Sequence, residues 1–83
     1  MYKIKFSDKS LKQIRKLEKK DQERIIITLN RIKIRPEHYI EKLVDDPAYK
    51  LRVGNYRVLM DLDKGNLLII VIKVGHRKKI YKN

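Results

Sequence analysis

The sequence predicts an α+β fold in the order β-α-α-β-β-β, a small antiparallel sheet with an N-terminal helical hairpin packed on one face. Three observations predict it. Apolar residues recur at helical spacing through the first half of the chain. After Pro47 they alternate, or run without interruption, as they do in strands. Two turn signals, Gly54-Asn55 and Lys64-Gly65-Asn66, divide that second half into three segments. At 83 residues the chain is expected to form one domain over 1–83. A domain of this size buries only roughly 60% of the surface its unfolded chain exposes, so its core is limited.

The elements follow in order. Tyr2, Ile4 and Phe6 alternate with Lys3 and Lys5, a short strand with one apolar face. Ser7 is placed to cap a helix, with Asp8 favourably set against the helix dipole. Leu11, Ile14 and Leu17 recur at helical spacing, with Lys12, Arg15, Lys16, Lys19 and Lys20 on the other side. Asp21 is expected to cap a second helix, whose stripe is Ile25, Leu29 and Ile32. Pro36 stops that helix near Ile34. The segment "PEHYIEKLVDDP" reads as irregular, with one helical turn at its start. Strands are then expected at Ala48–Val53, Tyr56–Asp63 and Leu67–Val74. The run "LLIIVIKV" is continuously apolar, as in a central strand covered on both faces.

Charge dominates the composition. Charged residues make up 39% of the chain, and 22 Lys plus Arg against 10 Asp plus Glu leave a formal charge of +12. Such a surplus opposes compaction and favours association with a polyanion or an acidic protein. Nucleic acid is the leading partner by charge, and a solvated basic surface is the plain alternative. Cysteine is absent, which removes disulfides and thiolate metal ligands. The longest apolar run, Leu67 to Ile72, falls short of the ~20 residues that a bilayer requires. The start "MYKIKFSDKS" has no signal-peptide core, so a cytoplasmic location is expected.

The stretch "YKLRVGNYRV" carries the first functional clue. A two-residue turn at Gly54-Asn55 pairs Val53 with Tyr56 and Arg52 with Arg57. Two like charges then sit opposite each other, which destabilises the hairpin. Lys50 joins them, because residues two apart on a strand share a face. Tyr49, Leu51, Val53, Tyr56, Val58 and Met60 form the other, core-facing side. An ordinary exposed face whose charges discourage edge pairing would look the same. A bound phosphate would instead make the crowding favourable, since Arg forks match phosphate oxygens.

The tail "VGHRKKIYKN" adds His76, Arg77, Lys78, Lys79 and Tyr81. Gly75 is expected to end the apolar strand and let the chain turn away. Tyr81 suits stacking on a base or proton transfer, and equally suits anchoring the tail to the core.

Together, "YKLRVGNYRVLMDLD" and "LLIIVIKVGHRKKIY" resemble the C-terminal half of RelE/ParE-superfamily toxins. Those proteins share an arginine-bearing hairpin, a buried strand, and a Val-Gly-His-Arg element followed by a tyrosine. The order of elements matches too, so the resemblance covers essentially the whole chain. It implies the toxin of a type II toxin–antitoxin pair, whose RelE-like members are ribosome-dependent mRNA endoribonucleases that act without a metal or other cofactor and block translation. The resemblance places Arg57 at the hairpin catalytic arginine, Arg77 at the arginine after Gly-His, and Tyr81 at the C-terminal tyrosine. Lys50 matches a functional lysine, and Arg52, His76, Lys78 and Lys79 are expected RNA contacts. His76 suits a structural role at least as well. One position departs: RelE proteins often carry a second lysine where this chain has Ala48. An acidic, RelB-like antitoxin is the implied protein partner, with the ribosome and its mRNA as targets.

RNA cleavage by its own 2′-hydroxyl requires loss of the hydroxyl proton, stabilisation of the charged phosphorane, and protonation of the leaving 5′-oxygen. The sequence shows no metal-binding cluster, and His38 and His76 lie in different segments. The remaining inventory of Arg, Lys and Tyr suits charge stabilisation better than proton transfer. Arg57 and Arg77 would then hold the scissile phosphate, Lys50 would help activate the hydroxyl, and Tyr81 would stack or relay a proton. A ParE-like gyrase inhibitor and a non-catalytic basic nucleic-acid-binding module are the alternatives.

Overall fold

A computed structural model describes residues 1–78. Among them, five strands form one sheet in the order β1-β5-β4-β3-β2, with two helices on one face. The strands are β1 (Lys3–Phe6), β2 (Glu41–Lys42), β3 (Tyr49–Val53), β4 (Tyr56–Asp63) and β5 (Leu68–His76). The helices are α1 (Asp8–Arg15) and α2 (Lys19–Ile32).

Local chemistry sets the helix starts. Ser7 caps α1, its Oγ accepting the Ser10 backbone N–H at 3.1 Å, with Asp8 in the first turn. Asp21, expected as the second cap, lies instead inside the first turn of α2, and Glu18 occupies the cap position without a side-chain bond. There Asp21 still faces the positive end of the helix dipole. Gln22 closes the α1–α2 corner by donating from Nε2 to the Leu17 carbonyl at 2.9 Å. The second helix ends at Ile32, and Pro36 opens a single 3-10 turn, Pro36–His38.

Two expectations about the sheet need correction. The segment after the 3-10 turn is not wholly irregular, because Glu41 and Lys42 pair with Lys50 and Tyr49 as an edge strand. Two residues are too few to show a period in the sequence. Gly75 does not end the last strand, since β5 continues to His76 and Gly75 pairs with Arg57. Glycine weakens a strand, but pairing with β4 holds this one. The sheet is also mixed: β3, β4 and β5 form the expected antiparallel meander, while β1 runs parallel to β5, Lys3 opposite Leu68. Such a parallel pair needs a long crossover, which the helices and the meander provide.

The core lies between the sheet and α2. Ile25, Leu29 and Ile32 pack with Leu51, Val53, Val58, Met60, Ile69 and Val71, all buried. The inward faces of β3 and β4 are those the alternation predicts. That leaves the opposite face of the sheet, away from the helices, for the charged residues.

Candidate nucleic-acid interface

The outer face is organised in rows that cross the strands. Arg52 and Arg57 are direct partners across the β3–β4 hairpin, as the turn predicts, and Arg57 is in turn partnered by Gly75. This row therefore holds two guanidinium groups and a residue without a side chain. The turn itself has only Gly54 at positive φ, +59°, the glycine-first pattern of a type II′ hairpin turn.

The next row is Lys50, Leu59 and Lys73. Leu59 is only 9% exposed although it points away from the main core. Its two lysine neighbours have aliphatic stems suited to covering it. Lys50 is not surrounded by cations alone. Its Nζ lies 3.6 Å from Glu41 Oε2, and its side chain is 31% exposed. That carboxylate arrives on β2, which the sequence did not reveal.

Lys73 reaches this row through a β-bulge. Met60 pairs with Val71, but Leu59 pairs with Lys73, so Ile72 is an extra residue on β5. Every residue beyond it changes face, and Val74 takes the next core position. The Arg77 backbone N–H donates to the Asn55 carbonyl at 2.9 Å, extending the strand pairing by one more step. Alternation then assigns half-buried Arg77 to the same side as Arg57.

His76 belongs to the helix side. Its ring meets that of Tyr56 edge-on, with centroids 5.9 Å apart and planes at 75°. Partial burial, and after it the Asp21 carboxylate, push the Tyr56 phenol above its ordinary value of 10.0. The structure therefore brings Lys50, Arg52, Arg57 and Arg77 to one face and sets His76 apart from them. Lys78 is exposed just beyond, while Lys79 and Tyr81 lie outside the described residues.

Cations continue around the sheet edge. A groove of about 590 Å³ runs between α2 and the hairpin tip, with Lys20, Arg24, Arg31 and Arg52 and one acid, Glu23, in its lining. The Arg24 guanidinium lies against the tip, where a Cβ on Gly54 would stand 2.8 Å from its Nη1. Sequence reasoning missed Lys73, Glu41 and this groove. The lone charge at Lys73 inside an apolar run was the one available signal.

Comparison with known proteins agrees with this architecture. A family model described as the ParE toxin of the type II toxin–antitoxin system parDE matches residues 4–81. Among solved structures, the chain is similar to one in the intact E. coli RelBE toxin–antitoxin complex. The identity is 30%, with 92% of this chain and 96% of that one covered and a TM-score of 0.77. It also shares the fold of a chain in the Mycobacterium tuberculosis RelBE2 complex, at 19% identity, 92% and 98% coverage, and a TM-score of 0.84. A third is in the archaeal RelE–RelB complex of Pyrococcus horikoshii, at 21% identity, 94% and 97% coverage, and a TM-score of 0.76. Comparison with curated proteins found no match. The chain belongs to the ParE toxin family of type II toxin–antitoxin systems, and its fold is that of the RelE toxins.

Proposed function

We propose that this toxin is a ribosome-dependent, metal-independent endoribonuclease that cuts mRNA and so inhibits translation. The observation that carries the reading is the Arg52–Arg57 pair in register on the outer face, flanked by Gly75. Like charges directly opposite repel, and a phosphate bound across the two guanidinium groups would turn that crowding into favourable contacts.

Arg57 and Arg77 hold the scissile phosphate and stabilise its developing charge. Lys50 assists removal of the 2′-hydroxyl proton. The freed oxygen attacks phosphorus, the bond to the 5′-oxygen breaks, and that oxygen takes up a proton as it leaves. The exposed pairing of Lys50 with Glu41 is a weak one, readily exchanged for RNA. Arg52, Lys78 and Lys79 contact the backbone, and Tyr81 stacks on a base or relays the proton, while His76, packed against Tyr56 on the helix side, has a structural role. The cations do not by themselves place the 2′-oxygen in line with the leaving group. The ribosome supplies that orientation. An acidic antitoxin of the RelB kind neutralises the toxin by covering this face, a reading supported by the similar E. coli chain being part of a toxin–antitoxin complex.

The parDE description of the matching family favours a second reading, inhibition of DNA gyrase, which needs no RNA chemistry. Purified toxin added to programmed ribosomes with an empty decoding site separates the two. Message cut at the decoding site by wild type, and spared by Arg57→Ala and Lys50→Ala, supports the nuclease. Intact message together with blocked DNA supercoiling assigns the toxin to gyrase.

A further inference from the structure

Halfway along β5 the strand exchanges its faces, and α1 is bonded to it at that point. Up to Val71 the odd-numbered residues Ile69 and Val71 enter the core. Beyond the bulge, Val74 is the buried residue opposite Val58, and Lys73 and Gly75 join the outer rows. A regular ladder would have placed Ile72 opposite Leu59 and carried Lys73, Gly75 and Arg77 to the helix side. One extra residue therefore decides which face Arg77 joins.

The bulge sits just where β1 stops. Past Phe6 the neighbour of β5 is the start of α1, and three bonds bracket the extra residue. The Ser7 backbone N–H donates to the Val71 carbonyl at 2.9 Å. The Ser7 hydroxyl donates to the Ile72 carbonyl at 2.9 Å. Gln13 Oε1 accepts the Val74 N–H at 2.7 Å. Because Ser7 also caps α1, the helix start and the strand irregularity are tied together. In a half-buried setting, a Val74 N–H without an acceptor would favour re-registering the strand.

We infer that Ser7 and Gln13 are positioning residues, which hold the extra residue at Ile72 and so keep Lys73, Gly75 and Arg77 on the face that carries Arg57. The inference rests on that face being the RNA site only for its effect on cleavage; its effect on strand register stands independently.

The test combines NMR of the purified toxin with the ribosome cleavage assay. In wild type, cross-strand contacts place Lys73 opposite Leu59 and Val74 opposite Val58. In Gln13→Leu these contacts are lost or shift by one residue, while those of Lys3 with Leu68 persist. Cleavage falls on the order of 10²-fold, the cost of small misplacements in a reacting centre. Gln13→Glu, which keeps an acceptor, retains the wild-type contacts and cuts within about threefold of wild type, a change too small for a displaced catalytic group. Deleting Ile72 turns the bulge into a regular ladder that still sets Lys73 opposite Leu59. In that background Gln13→Leu should change cleavage by less than about threefold, since the misplacement no longer arises. Unchanged contacts beyond Val71 in Gln13→Leu overturn the inference, as does an equal loss of cleavage in the deletion background or a deletion variant that does not fold. If Gln13→Leu itself does not fold, Gln13→Glu and the deletion pair decide. A wild type that cuts no message removes the RNA reading, and the strand contacts still decide this one.

Discussion

The outer face of the sheet has two ends that obey different rules. At the end near the β4–β5 turn, Lys3 and Asp63 share a row through Leu68, and Lys5 and Asp61 share one through Ile70. Cations and carboxylates balance there, as an exposed sheet built only for solubility would have them. At the end near the β3–β4 turn, Arg52, Arg57 and Gly75 form a row with no acidic member. Strands β4 and β5 run through both ends, while β1 supplies the lysines of one and β3 the Arg52 of the other. The proposed function places its ligand at this cationic end.

The turns differ in the same way. The β4–β5 turn is fastened by its own side chains, Asp63 accepting the Asn66 backbone N–H at 3.0 Å and the Asn66 amide at 2.9 Å. The β3–β4 turn has Gly54 beneath Arg24 of another element. One end is secured locally, and the other is connected to α2.

The sharpest break of this comparison is Arg57→Ala against Lys5→Ala. Removing Arg57 should lower decoding-site cleavage on the order of 10²–10³-fold, the usual cost of deleting a charge-stabilising group. Removing Lys5 should leave the rate unchanged. Equal losses would mean that the whole face acts as a general polyanion surface.

Next in size is the turn at the cationic end. Gly54→Ala should destabilise the toxin by about 1–2 kcal/mol in urea unfolding, because φ of +59° is unfavourable for a residue with a Cβ. The approach to Arg24 adds less, since the far end of that side chain can move. A neutral outcome would show that the turn can adopt another type.

Arg52→Glu sharpens the contrast by making the cationic end resemble the balanced one. An opposite charge facing Arg57 should raise stability by roughly 0.2–1 kcal/mol. The same change should weaken RNA binding and flatten its salt dependence. Higher melting temperature with lower affinity, measured on one variant, would show that the arginine pair is kept for binding at a cost in stability. If both quantities fall together, the pair is structural.

The smallest effect belongs to the balanced end. Hydrogen bonds from Asn66 hold the Asp63 carboxyl below its ordinary value of 3.8. Their contribution is fully present above pH 3.8 and is lost as the pH falls through the lower folded value. Asp63→Ala should therefore melt below wild type at neutral pH and converge with it in acid. A constant gap between the two melting curves would place the effect elsewhere.

Much of this arrangement was legible in the sequence because its determinants are local. Gly54-Asn55 fixes the hairpin, the hairpin fixes Arg52 opposite Arg57, and alternation fixes which residues enter the core. Ser7 as a helix cap is equally local. What was not legible depends on distant partners. The bulge at Ile72 closes the apolar run Leu67–Ile72, where no periodicity exists to show a break and only the charge at Lys73 hints at one. Its bonding partners are on α1, dozens of residues earlier. Glu41 was missed because its strand exists only where β3 offers an edge to pair with. The parallel direction of β1 likewise depends on the path of all that lies between it and β5.

That parallel pairing governs the order in which the molecule can assemble. Ser7 and Ile72, bonded to each other, are 65 residues apart. Contacts of such long range fold slowly, because loop closure must precede the gain from pairing. The first strand made must wait for the last, and the last is interior to the sheet, with β1 on one side and β4 on the other. A nascent toxin therefore lacks its finished surface until β5 has been synthesised.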